Sequence, residues 1–268
     1  MMTRILSALV AAVLIIGVAV FFKTTGLYVI CSLAIAGCIF EYSRLTLAKG
    51  KSPLHFQIAF MIAAALVYVS VVLSSPYTLS AAVLSAVILA AMGVVGVRRS
   101  NDLGHAFKLI SAAILGLLYV GFFPGYAIAL LGLENGIVYF FGLLVIVFFG
   151  DSFAYFVGRF FGKTKLLEAV SPKKTVAGSV GGLFGSALAG FLLAFYFLGT
   201  TSLFHLVIIA VVSGAFGQIG DLFESLIKRL ADVKDSGRIM PGHGGFLDRL
   251  DGVLFAAPVF YILLQFLT

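Results

Sequence analysis

Apolar residues in this chain do not alternate with polar ones; they run in long blocks. Several blocks exceed ~18 residues with few or no charges, the length a helix needs to cross a hydrocarbon layer about 30 Å thick. The pattern predicts nine spans: Ile5–Phe22, Gly26–Phe40, Leu54–Leu73, Tyr77–Val97, Phe107–Leu131, Ile137–Phe161, Val176–Leu198, Ser202–Leu226 and Gly252–Leu267. The second and ninth are short, and each either gains length from its flanks or lies obliquely. Continuous apolar runs without a two-residue period indicate helices rather than barrel strands. The expected fold is therefore an all-α polytopic membrane protein.

Composition agrees. The chain is 62% hydrophobic and 11% charged, against roughly 25% charged in soluble domains. A formal charge of +7 would suggest a nucleic-acid partner in a soluble protein, but the positions of the charges argue against one. With the N-terminus in the cytoplasm, the inside segments hold Arg4, then Arg44, Lys49 and Lys51, then Arg98, Arg99 and Lys108. They also hold Arg159, Lys163, Lys165, Lys173 and Lys174, and finally Lys228, Arg229, Lys234, Arg238 and Arg249. That is 17 of the 18 Lys and Arg, with Lys23 alone outside. The asymmetry follows the positive-inside rule and puts the C-terminus outside. Arg4 before an apolar run resembles the start of a signal peptide, but no small-residue cleavage site precedes Lys23, so an uncleaved span is expected. Cys31 and Cys38 share one apolar span and read as packing residues.

The two halves differ in chemistry. Residues 1–133 read as a helical scaffold and residues 134–268 as the catalytic half of a single membrane domain. Six of the eleven carboxylates fall between Asp221 and Asp251. Asp221 lies ~28 Å along a helix beginning near Ser202, close to the inner boundary of the hydrocarbon. Asp248 and Asp251 are expected just before the last span, and Asp151 in the cytoplasmic half of the sixth. Ionisable groups at such depth are costly unless paired or wet, which marks them as functional candidates.

Three segments carry candidate chemistry. In the first, Asp221, Glu224, Ser225 and Lys228 are spaced to share one helix face, behind Gly214, Gly217 and Gly220, which admit a neighbouring backbone. An ordinary amphipathic helix end explains Glu224 and Lys228, but not the deeper Asp221. The second runs from Lys234-Asp235 through Pro241-Gly242-His243-Gly244-Gly245 to Asp248-Arg249-Leu250-Asp251. Its tight turn can aim backbone N–H groups at phosphate, and its paired aspartates suit a hard cation shared with phosphate oxygens. A solvated loop with N-capping aspartates is the plainer alternative. The third, Ser171-Pro172-Lys173-Lys174-Thr175, puts cations and hydroxyls at a predicted helix N-terminus, either as an anion site or as a positive-inside anchor. The spacings Gly178–Gly182, Gly181–Gly185 and Ser186–Gly190 suggest helix packing. Gly158 to Thr164 imitates a phosphate-binding loop, but is one residue too short between its glycines and follows an apolar helix.

Taken together, the stretch from Ser225-Leu-Ile-Lys228-Arg229 to Asp248-Arg249-Leu-Asp251 resembles the phosphatidate cytidylyltransferase family. Two upstream blocks add to the likeness: Asp151 to Lys163, and Ser171 to Thr175. The resemblance covers residues 150–268 and is loosest around Asp151, where Ser152-Phe153 stands in place of smaller residues. It implies attack by the phosphate of phosphatidic acid on the α-phosphorus of CTP, giving CDP-diacylglycerol and pyrophosphate. Two anions must meet, so positioning and cations should dominate catalysis. The implied roles are metal binding by Asp221, Asp248 and Asp251, with Mg2+ as cofactor and a second cation left open. Lys228, Arg229, Lys234, Asp235, His243 and Arg249 are the implied catalytic groups. Asp151, Ser171, Lys173, Lys174, Thr175 and Ser225 are the implied substrate-binding groups. Expected partners are phosphatidic acid, CTP and membrane lipids, with a homodimer left open and no nucleic acid. The implied location is a bacterial inner membrane, with the site facing the cytoplasm. The rival readings are a CTP-dependent lipid kinase and, from another class, an ion-coupled transporter.

Overall fold

A computed structural model describes residues 2–100, 102–198, 203–237 and 244–267. Among the described residues, nine α-helices run in order: α1 (Met2–Tyr42), α2 (Leu54–Val72), α3 (Thr78–Ser100), α4 (Leu103–Gly116), α5 (Phe123–Ala129), α6 (Gly136–Phe161), α7 (Val176–Leu193), α8 (Leu203–Leu230) and α9 (Leu247–Leu267). Among the described residues, eight helical segments are long and apolar enough to cross a membrane, by length and composition. The protein is an integral membrane protein built on helices.

The two spans expected before residue 42 form the single element α1, broken at Lys23, whose φ of 52° and ψ of −142° are not helical. A Cβ placed on Gly26 would lie 2.6 Å from Val18 Cγ1. In a straight helix, residues eight apart are separated by about 12 Å. The chain therefore bends back sharply at Lys23, between the two expected spans. The expected Phe107–Leu131 span is assembled from α4, a π-helical turn (Leu117–Phe122), α5 and a 3-10 turn (Leu130–Gly132).

The chain divides into two compact units, Met1–Ile128 with Leu230–Leu250, and Ala129–Arg229 with Asp251–Thr268. The division sets residues 230–250 with the N-terminal helices. In the first unit, Tyr42 packs against Phe60 and Tyr119 at ring separations of 5.7 and 6.1 Å. Its hydroxyl donates to the Ala112 carbonyl at 2.7 Å, so a buried polar tip is satisfied within an apolar core.

The second unit is organised by small residues. A Cβ on Gly181 or Gly185 of α7 would lie 2.5 Å from Val157 or 2.7 Å from Phe153 of α6. The glycine spacings thus serve helix packing, as the sequence suggests. An antiparallel hairpin, β1 (Lys165–Leu167) and β2 (Ser171–Thr175), joins these helices. It is a small departure from an all-α chain. Thr175 is the N-cap of α7, its hydroxyl oxygen accepting from Gly178 N at 3.1 Å. Such a cap contributes about 1 kcal/mol. Lys173 and Lys174 therefore lie on a strand rather than in the first turn of the helix. Gly158 and Gly162 approach the Thr175 side chain, so this glycine pair serves packing too.

The last helix begins at Leu247, five residues before the expected boundary. Asp248 and Asp251 are thus inside α9 rather than ahead of it. The reason is a carboxylate far away in sequence that satisfies the backbone N–H groups at the helix start.

Candidate active site

In the second unit, helices α6, α8 and α9 each contribute a carboxylate. The close approach comes from α8, where a Cβ on Gly220 would lie 2.5 Å from the Asp251 carbonyl oxygen, and from Gly217, which stands against Gly252. Any larger residue at 220 would hold the α9 backbone off and separate Asp221 from Asp251. Asp221 and Asp251 interact electrostatically, and Asp151 of α6 interacts with both. Three like charges share one region and repel one another.

Two ammonium groups oppose that repulsion. Lys174 Nζ on β2 lies 2.5 Å from Asp221 Oδ2, with both side chains about one-third exposed. Lys228 pairs with Glu224 one turn earlier on α8, and Glu224 is fully buried; Lys228 also acts electrostatically on Asp251. The expected shared face of Asp221, Glu224, Ser225 and Lys228 is present, and Ser225 Oγ stands 3.5 Å from Asp221 Oδ1. Four carboxylates and two ammonium groups leave a formal charge of −2 on these six groups. Arg229 Nε donates to the Val170 carbonyl at 3.2 Å, tying the end of α8 to the hairpin turn. Ser171 is half-buried and Lys173 exposed at the head of β2.

Asp248 belongs to the first unit and has a different environment. Its Oδ2 accepts from Ser236 N at 2.7 Å, Ser236 Oγ at 2.8 Å and Gly245 N at 2.9 Å. Beside it, Glu41 of α1 is 2% exposed. Glu41 Oε1 accepts from Phe246 N at 3.2 Å, and Oε2 from Leu247 N at 2.9 Å and Ser236 Oγ at 3.1 Å. The N–H of Gly245, in the turn expected to aim such groups at phosphate, points instead at Asp248, and those of Phe246 and Leu247 point at Glu41. Lys234 and Asp235 are exposed and form no ion pair with each other among the described residues. Arg249 is exposed in the first turn of α9. His243 lies outside the described residues, as do Pro241 and Gly242.

The structure thus brings Asp151, Asp221 and Asp251 together with Lys174 and Lys228. It sets Asp248 with Glu41 and Ser236. Glu41 is the site residue that sequence reasoning missed. A signal was available, since it is the sole carboxylate in the first 101 residues and stands at the end of an apolar span.

For a metal, the donor chemistry is right: carboxylate oxygens suit a hard cation, and the −2 charge of the six groups favours one. Among the described residues, no three Asp, Glu, His or Cys side chains converge closely enough to enclose an ion. A hard cation such as magnesium can be held by one or two carboxylates when waters complete its shell.

Residues 2–267 match the model of the Cytidylyltransferase family. The chain is 38% identical over 177 residues to a protein of Staphylococcus haemolyticus named phosphatidate cytidylyltransferase. It is 40% identical over 177 residues to one of the same name from Staphylococcus saprophyticus, and 40% identical over 159 residues to one from Bacillus subtilis. These matches cover 66%, 66% and 59% of this chain. The chain spans 65%, 65% and 59% of the length of those relatives.

Proposed function

The chain belongs to the cytidylyltransferase family, and from that premise we propose that it joins CTP to phosphatidic acid, releasing pyrophosphate and forming CDP-diacylglycerol. An oxygen of the lipid phosphate attacks the α-phosphorus of CTP. A new P–O–P link forms as the bond between the α-phosphorus and the oxygen bridging to the β-phosphorus breaks. The lipid phosphate is largely ionised near neutral pH, so the reaction needs little general-base help. What it needs is neutralisation and alignment of two anions.

The observation that carries this reading is the group of Asp151, Asp221 and Asp251 opposed by Lys174 and Lys228. Magnesium, when bound, supplies Lewis-acid polarisation of the phosphoryl oxygens and charge neutralisation. Asp221 and Asp251 are assigned to hold it, and Asp248 is assigned as a further metal carboxylate. Asp151 adds to the negative field around them. Lys174 is assigned a dual role: it pairs with Asp221 in the empty enzyme and turns to phosphate when substrate arrives. Lys173, Lys228, Lys234 and Arg249 supply further phosphate contacts, as do the terminal nitrogens of Arg229. Ser171 and Ser225 offer hydroxyls to substrate, while Thr175 acts through its cap on α7. Asp235 is kept as a candidate that forms no ion pair with Lys234 among the described residues, and His243 is assigned to phosphate.

The charge asymmetry of the loops supports a cytoplasmic N-terminus, an outside C-terminus and a site open to cytoplasmic CTP in a bacterial inner membrane. Cysteines at Lys163 and Glu134 should then be labelled from opposite faces, the first only from the cytoplasm. Labelling of both from one face would contradict that topology. The activity is tested by incubating purified protein in detergent with labelled CTP and phosphatidic acid. CDP-diacylglycerol and pyrophosphate are expected, with no reaction on diacylglycerol. Release of CDP with a phosphorylated lipid would instead indicate a kinase.

A further inference from the structure

We propose that Glu41 is a positioning residue for this reaction, one that fixes the start of α9 and, through Ser236, the Asp248 carboxylate. The inference rests on the proposed cytidylyl transfer for its kinetic consequences, but its geometry stands independently. Glu41 sits at the end of α1, and its bonded partners lie 195 to 206 residues further along the chain. A carboxylate 2% exposed within an apolar span is costly unless its oxygens are met by donors. Here they are met by Phe246 N, Leu247 N and Ser236 Oγ. Two of these are N–H groups at the start of α9, which have no partner inside the helix. Glu41 therefore acts as a capping group supplied from another part of the chain, and its charge favours the positive end of the helix.

Ser236 links the two carboxylates. Its hydroxyl lies 3.1 Å from Glu41 Oε2 and 2.8 Å from Asp248 Oδ2, and accepts from Asp248 N at 3.3 Å. A hydroxyl has one proton, so both carboxylates draw on the same donor, and moving one alters the hold on the other. The space around Glu41 is equally constrained. A Cβ on Gly245 or Gly237 would overlap its carboxylate oxygens. These two glycines of the second candidate segment thus make room for a buried side chain.

The substitution Glu41→Gln discriminates. Both Glu41 oxygens accept backbone N–H groups, so a glutamine must turn its own amide donor against one of them. The enzyme, whole and in detergent, is assayed for pyrophosphate release, with amide exchange at Phe246 and Leu247 followed in parallel. Glu41→Gln is expected to lower kcat about 30-fold while KM for CTP moves less than about 3-fold. Exchange at one of the two amides should rise at least about 10-fold. Because Glu41 acts through Asp248, adding Glu41→Gln to Asp248→Asn should cost less than about 3-fold more. Glu41→Asp, which keeps both acceptors, should restore part of the rate. A kcat within about 3-fold of wild type for Glu41→Gln, or losses that multiply fully in the double variant, would overturn the proposal. If Glu41→Gln does not fold, wild-type exchange decides: Phe246 and Leu247 amides as fast as those of Lys234 and Asp235 would overturn it. A wild type that exchanges slowly there but makes no CDP-diacylglycerol would refute the proposed reaction and leave the clamp standing.

Discussion

The two carboxylate clusters stabilise negative charge in opposite ways. In the second unit, Asp221 and Glu224 are matched by the ammonium groups of Lys174 and Lys228, which also act on Asp151 and Asp251, so four carboxylates share two cations. In the first unit, Glu41 and Asp248 are held by Ser236 and by the N–H groups of Gly245, Phe246 and Leu247, all of them neutral donors. A lysine on a short strand can be drawn away by a phosphate, and its carboxylate is then open to a cation. Backbone donors cannot leave. On the proposed function, the difference separates a cluster expected to exchange partners during turnover from one expected to keep the geometry still.

The sharpest way to break this contrast is to remove charge from the exchanging cluster. Asp221→Asn is expected to fold normally yet lose at least ~100-fold in pyrophosphate release, about 2.7 kcal/mol of transition-state stabilisation. Near-normal turnover would remove Asp221 from the chemistry. Next in size is Lys174→Met. It should lower kcat/KM for CTP about 30-fold through a lost phosphate contact, and initial rates across CTP concentrations would show it. Lys174→Arg should recover only part of this, because a planar guanidinium does not replace a point charge on a flexible stem.

Smaller effects probe the fixed cluster. Gly245→Ala forces a methyl group into the Glu41 oxygens and should destabilise the enzyme by about 1–3 kcal/mol, as overpacking does, in a thermal melt. Thr175→Ala removes the α7 cap and should cost about 1 kcal/mol of stability with little change in rate. Asp232→Asn, outside both clusters, should leave rate and melting temperature unchanged. A large loss there would mean that the two clusters do not contain the important carboxylates.

What could be read from sequence follows from how local each signal is. The ends of α2 and α6 fall within a residue of the expected boundaries, because hydrophobicity changes abruptly there. The Glu224–Lys228 pair and the glycine contacts of α7 were legible because i,i+4 spacing fixes neighbours on a helix. The break at Lys23 was legible as a charge between two apolar runs. Other features depend on distant partners. The start of α9 was misplaced by five residues because its cap comes from Glu41. The hairpin was missed because β1 is three residues long and β2 contains Pro172, which leaves no alternating pattern to read. The grouping of Asp151 with Asp221 and Asp251 depends on which backbones pack at Gly217 and Gly220, and spacing along the chain carries no trace of that.

The central claim is that carboxylates of the exchanging cluster hold magnesium while phosphatidic acid attacks CTP. Its most direct test is pyrophosphate release across a magnesium titration, comparing wild type with Asp221→Asn and Asp251→Asn. Wild type should be silent after chelation and recover when magnesium is restored. Asp251→Asn should need more magnesium for half-maximal rate, and Asp221→Asn should stay at least ~100-fold slow at saturation. Superimposable magnesium curves for all three proteins, or full wild-type activity in excess chelator, would contradict the account.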